Sequence, residues 1–164
     1  MNAKDIFKAR RSVRKFKPDL VPDADIEEII LAASLAPTAR NVQPWEFIVI
    51  KDHKTRSAIA HLAVNGPFLA QAPVCIAVFC KDTKYYLEDG CAATTQAMLC
   101  AVTLGYGSCW VAGDKKEYAS EVAGLLGTPP GYKLVSMIAL GRPLEIPSIP
   151  EKRNPKQMIH KEKF

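Results

Sequence analysis

Cys91-Ala-Ala-Thr-Thr-Gln-Ala-Met-Leu-Cys-Ala-Val-Thr-Leu-Gly-Tyr-Gly-Ser-Cys-Trp-Val-Ala-Gly113 carries no charged residue. An uncharged stretch of that length raises the question of a membrane span. Thr94, Thr95, Gln96 and the Gly105/Gly107 break answer it. The stretch reads as a long Ala-rich helix led in by Asp89 and ended by Gly105, followed by a strand, both buried in a core. Ala92, Ala93, Ala97, Met98, Leu99, Ala101 and Val102 cover most of the circumference, which marks a central core helix. A dinucleotide fingerprint at Gly105–Gly113 is excluded, because Trp110 stands where the third glycine belongs and the pattern follows a helix and enters a strand.

Working outward, residues 74–79 form a continuous apolar run, as expected of a strand covered on both faces. Residues 133–140 predict another strand, after a helix over 116–126 and a Gly127-Thr-Pro-Pro-Gly131 turn. On the N-terminal side, Asp52 is placed to cap a helix over 53–63, and Asn65-Gly66-Pro67 makes a turn. Pro22 and Asp23 open a helix in which Ile26, Ile29, Ile30 and Ala33 share one face, and Ala36-Pro37 stops it. Asn2 caps a first helix with Ile6 and Phe7 turned inward. No Pro/Gly/Ser-rich linker divides the chain, so residues 1–164 are expected to form one domain.

The formal net charge of +5 is unevenly placed. Residues 1–17 hold seven basic side chains against one acid and residues 151–164 hold five against two, which leaves an acidic middle. Basic ends could be nucleic-acid arms, but no aromatic-interleaved basic stripe and no nucleic-acid-binding motif accompanies them. The five cysteines are odd in number and lack a Cys-x-x-Cys pair, so they read as buried thiols of a reducing compartment. The three histidines lack metal-ligand spacing, and no metal is expected. No apolar signal region opens the chain, so a cytoplasmic location is expected.

Arg10-Arg11-Ser12-Val13-Arg14 sets three guanidinium groups and a hydroxyl within five residues. Such a cluster reads either as a clamp for a phosphate and a second electron-rich group, or as a solvated basic helix end. Ala36-Pro37-Thr38-Ala39-Arg40-Asn41-Val42-Gln43-Pro44-Trp45 is a polar loop between two prolines, leading into a β-rich run over 45–50. A rigid polar loop entering a strand is a good place for a ligand.

Arg-Arg-Ser-Val-Arg-Lys-Phe at 10–16, followed by Ala-Pro-Thr-Ala-Arg-Asn-Val-Gln-Pro-Trp at 36–45, resembles the FMN-dependent nitroreductase family. The core helix followed by Gly-Tyr-Gly-Ser-Cys at 105–109 is the continuation that the resemblance implies, so that it spans nearly the whole chain of a small, short-loop member. It implies an α+β fold: a central mixed, mainly antiparallel sheet flanked by helices, in an intertwined homodimer with FMN at the subunit interface.

By the same resemblance, Arg10 and Ser12, with Arg11 beside them, would meet the ribityl phosphate, and Arg14 would lie near the N1/O2 edge of the ring. Pro37, Thr38 and Ala39, with Asn41 and Gln43 nearby, would approach the isoalloxazine from the second subunit. Asn65 matches an asparagine that bonds the pyrimidine, whereas Phe68 departs from the lysine of some members. Ala112 and Gly113 match the backbone segment whose N–H faces flavin N5. Lys152 and Arg153 match a basic pair that closes on the phosphate.

The residues themselves supply an apolar core and a phosphate-sized clamp, with no catalytic acid, base, nucleophile or metal constellation. Such a chain needs a cofactor to do chemistry, and FMN fits. The resemblance implies ping-pong transfer of hydride through N5 from NADH or NADPH to electron-poor acceptors such as nitroaromatics, quinones or free flavin. With no segment between Ile50 and Asp89 long enough for a helical lid, an open, permissive site is expected. The alternative is a flavin-binding redox sensor or storage protein without turnover.

Overall fold

Val74–Lys81 and Tyr132–Gly141 are the two apolar runs that pair in the middle of the molecule, as β2 and β4. The structure, a computed structural model, describes residues 2–164. Around these strands the chain places helices α1 (Ala3–Ala9), α2 (Asp23–Ser34), α3 (His53–Leu62), α4 (Tyr86–Thr103) and α5 (Ala119–Leu125), and the outer strands β1 (Trp45–Ile50) and β3 (Gly107–Ala112). The sheet order is β1-β2-β4-β3. Every strand pair is antiparallel, as the α+β reading requires. Among the described residues, the parallel component of the expected mixed sheet is an isolated bridge between Ser12 and Ser108.

Helices cover both faces, which is why β2 and β4 are buried without alternation. On one face α2 and α4 pack Ile26, Ile29, Ala93, Ala97 and Met98 against Ile76, Val78, Val135 and Ile138. On the other, α3 and α5 pack Ile59 and Val122 against Phe79, Leu134 and Met137. Gly90 lets α4 settle directly on the strands: a Cβ there would lie 2.7 Å from a Val135 methyl and 2.9 Å from Cys80 Sγ. Four residues on, the buried Thr94 and Ser136 hydroxyls meet at 2.8 Å and satisfy one another between helix and sheet.

Three expectations about elements are corrected. Phe7 does not turn inward but is 62% exposed, because α1 buries no residue and, with Ile6, Leu99 and Cys100, leaves an open apolar groove against α4. The central helix begins at Tyr86 rather than at Asp89, whose side chain leaves its own helix to bind the 38–39 backbone and side chain. The last helix begins at Ala119, since residues 116–118 form a turn closed by Lys116 N–H to the Gly113 carbonyl and Ala119 N–H to the Lys116 carbonyl. Gly105, with φ of 80°, ends α4 as expected.

Candidate functional site

After α1 the chain runs extended along the outer edge of β3. Val13 N–H donates to the Ser108 carbonyl at 3.0 Å, and Lys17 N–H to the Arg142 carbonyl at 2.9 Å. Val13 and Phe16 turn into the core, so Arg14 and Lys15 turn out. Gly107 permits this docking, because a Cβ there would sit 2.7 Å from one Val13 methyl and 2.8 Å from its Cβ.

The docked segment brings three of the expected polar groups to one place. Burial pushes the Cys109 thiol up, while nearby Arg14, Ser12 and Arg10 oppose that shift. The geometry behind this is the bridge of Ser12 to Ser108, which lays Arg10 and Arg14 two residues to either side of it along the head of β3. The Arg14 guanidinium also lies 5.7 Å from the centre of the Phe68 ring. Arg11 turns away instead: its guanidinium donates to the Arg10 carbonyl at 2.5 Å and borders a separate cavity of about 200 Å³ with Gly105, Tyr106 and Pro143.

The Asn65-Gly66 turn closes in from the α3 side. A Cβ on Gly66 would be 3.1 Å from a Val111 methyl, so exposed Asn65 stands beside the end of β3 and three residues from Phe68. Gly113 N–H is spent on the Val135 carbonyl at 3.0 Å. Because alternate residues of an edge strand bond outward, the Ala112 N–H points off the open side of β3, as the Ser108 carbonyl does where Val13 meets it. Of the Ala112–Gly113 pair, only Ala112 offers a free backbone donor.

The 37–43 loop is held elsewhere. Asp89, 5% exposed, accepts from the Thr38 hydroxyl at 2.7 Å and from Ala39 N–H at 3.1 Å. Gln43 N–H donates to Thr38 Oγ1, and the Gln43 amide to Asn41 Oδ1, both at 3.1 Å. Arg40, Asn41 and Gln43 all have positive φ, near 50–56°. That left-handed backbone persists only where surrounding contacts impose it, and clusters at functional sites. Pro37 is exposed at the head of the loop.

This loop enters β1, at the opposite edge of the sheet from β3. Three inter-strand steps separate the edges by about 14 Å. One chain thus holds two polar half-sites that do not meet. Lys152 and Arg153 lie exposed on the tail, and among the described residues neither makes an ion pair or side-chain hydrogen bond. No group of three or more metal-ligating side chains occurs among the described residues.

Sequence reasoning assigned no role to Asp89 beyond opening a helix, nor to Tyr118, whose hydroxyl donates to the Ala112 carbonyl. Asp89 left a signal in its position: an acid bordering an uncharged core stretch must be satisfied if buried. Tyr118 left none.

Comparison with known proteins gives consistent matches. Residues 7–74 and 58–142 match the Nitroreductase family. An Archaeoglobus fulgidus protein, provisionally named NADH dehydrogenase/NAD(P)H nitroreductase, is 35% identical over 94% of each chain. A solved structure from Parabacteroides distasonis with the same provisional name superposes with a TM-score of 0.93 at 27% identity, covering 98% of both chains. The FMN-dependent nitroreductase of Clostridium difficile R20291 gives a TM-score of 0.88 at 27% identity, over 97% of this chain and 98% of that one.

Proposed function

The chain belongs to the nitroreductase family, and from that premise we propose that it is an FMN-dependent NAD(P)H oxidoreductase, one domain per chain, acting as a homodimer with the flavin between two copies. The observation that carries this reading is the docking of the Arg10–Arg14 segment along the outer edge of β3, with Ser12 bridged to Ser108 and Val13 N–H bonded to the Ser108 carbonyl.

The donors fit the group. Among the described residues the Arg10 side chain has no hydrogen-bond partner, and Arg14 spends one donor, at 3.3 Å, on the Ser12 carbonyl. Their unspent donors suit a phosphate and an electron-rich ring edge. When bound, FMN would supply the redox chemistry, the capacity to carry a hydride equivalent from NADH or NADPH to a nitroaromatic, quinone or free flavin in alternate half-reactions.

The protein's own groups bind and orient. Arg10 and Ser12 hold the phosphate, and Lys152 and Arg153 close on it from the tail. Arg11, directed to the neighbouring cavity, adds charge without direct contact. Arg14 sets a fixed positive charge at the N1/O2 edge, where negative charge grows on reduction. Asn65 bonds the pyrimidine, and the Ala112 N–H faces N5 with Gly113 anchoring it to the sheet.

Pro37, Thr38, Ala39, Asn41 and Gln43 serve the second copy's flavin. Half-sites that enter the sheet at opposite edges suit a flavin held between two chains, each chain supplying one half. Exposed Phe7 and Leu31 on the helices, and Ile146 and Ile149 on the tail, are the apolar surface that such an intertwined pair would cover.

A mixed-dimer experiment tests the shared site. The Arg10→Ala/Ser12→Ala chain and an Ala39→Arg chain each lose FMN as homodimers, and co-expression restores FMN to the mixed dimer, which contains one intact site. Absence of FMN from the mixed dimer contradicts the two-chain site.

A further inference from the structure

Two tyrosine hydroxyls grip the chain on either side of Gly113. Tyr118, the residue before α5, donates to the Ala112 carbonyl. Tyr86, the first residue of α4, donates to the Asp114 carboxylate at 2.6 Å. Their rings pack in different core clusters, Tyr86 with the α2/α4 face and Tyr118 with the α3/α5 face, so the grip comes from both sides of the sheet. Between them, Gly113 and Asp114 N–H groups both donate to the Val135 carbonyl, at 3.0 and 3.3 Å.

The Ala112 carbonyl and the Gly113 N–H belong to a single peptide unit. The bond from Tyr118 and the bond to Val135 therefore run in series through it, each polarising the other, and together they set the plane of that peptide. Strand ends otherwise fray at low free-energy cost. Here every backbone donor from Ala112 to Asp114 is spent except the Ala112 N–H, which projects off the open edge. Burial pushes the Tyr118 hydroxyl up, and the bond to Asp114 holds Tyr86 up to about 12, so both remain donors at neutral pH.

We propose that Tyr118, with Tyr86 as its counterpart, is a positioning residue that keeps the Ala112 N–H aimed at flavin N5. The proposal rests on the flavin reading above and adds the device that fixes the aim. Hydrogen bonds weaken steeply as they leave linearity, so a peptide free to rotate loses the contact without losing the cofactor.

Tyr118→Phe retains the ring and deletes the donor, and Tyr86→Phe does the same at the second grip. In the FMN-free protein, Tyr118→Phe speeds amide hydrogen exchange at Gly113 by about tenfold or more while the centre of β4 is unchanged. With FMN bound, its Kd stays within about twofold, the flavin-induced shift of the Ala112 amide resonance shrinks, and reduction by NAD(P)H slows about five- to tenfold, the scale of one hydrogen bond. Tyr86→Phe moves the same readouts in the same direction.

Unchanged exchange at Gly113, or an unchanged Ala112 shift with an unchanged reduction rate, overturns the positioning role. If the unsubstituted protein binds no FMN, both readings fall. If it binds FMN and is reduced while the two variants match it, only this inference falls.

Discussion

The Thr38 hydroxyl donates to the Asp89 carboxylate at 2.7 Å, joining the loop before β1 to the first turn of α4 across 51 positions of sequence. The same carboxylate accepts from Ala39 N–H, so one buried acid satisfies two donors of a loop whose backbone is otherwise strained. Through it, the second copy's half of the proposed flavin site is built on the core helix.

Asp89→Ala is expected to destabilise the fold by about 1–3 kcal/mol, the cost of leaving two part-buried donors, the Thr38 hydroxyl and the Ala39 N–H, without their acceptor. Chemical denaturation measures the loss, and limited proteolysis is expected to begin within 38–43. A change below about 0.5 kcal/mol, the range of ordinary surface substitutions, contradicts the anchoring role.

Gly107→Ala forces a methyl into Val13, 2.7 Å away. The expected cost is about 1–3 kcal/mol, with FMN affinity falling because the 10–14 segment is displaced from β3. Adding Val13→Ala to that variant makes room and recovers FMN binding. Failure of the double variant to recover any affinity argues against docking of this segment as the cause.

The arginine cluster separates into two roles. Arg10→Ala combined with Ser12→Ala weakens FMN more than riboflavin, since only FMN carries the phosphate, and equal losses remove that assignment. Arg14→Ala lowers the flavin reduction potential by about 20–40 mV, equivalent to about 1–2 kcal/mol for a two-electron couple. Spectroelectrochemistry measures it, and an unchanged potential removes Arg14 from the N1/O2 edge.

Alkaline stability follows from the buried thiols. Burial raises Cys75 from 9.0 to about 12, and Cys80 likewise from 9.0 to about 12, with Asp89 and Cys91 adding to the shift at Cys80. A folded-state value above the unfolded one means that the native chain holds more protons between those limits. Stability is therefore unaffected by these groups below about pH 9 and falls as pH rises from 9 toward 12, by up to about 1.4 kcal/mol per pH unit for each thiol. Urea midpoints from pH 8 to 11 measure the slope, and Cys75→Ala flattens it. A slope equal in both proteins contradicts the buried-thiol origin.

The legible part of this fold is what burial on both faces dictates. Residues 74–79 announced themselves as a strand covered on both faces because no polar side chain interrupts them, 133–140 read as a strand despite Lys133 and Ser136, and α4 read as a core helix because its apolar residues cover most of its circumference. Phe7 was illegible for the opposite reason: an apolar residue on a short helix reads as core whether the partner surface belongs to the same chain or to another. The polar half-sites were legible as motifs at 10–16 and 36–45, but not their placement at opposite edges, which depends on strand order. Asp89 looked like a helix opener because its partners lie 50 and 51 residues away, and the Tyr118 bond to Ala112 depends on a turn angle that no periodicity encodes.

The central claim is that the Arg10–Arg14 segment exists to hold a redox-active flavin. An anaerobic absorbance titration of the purified protein with NADH and with NADPH tests it most directly. The account predicts a bound, yellow FMN chromophore that bleaches with at least one donor and returns on adding a quinone or nitroaromatic. A protein that stays colourless after incubation with FMN, or a bound flavin that neither donor bleaches, contradicts it.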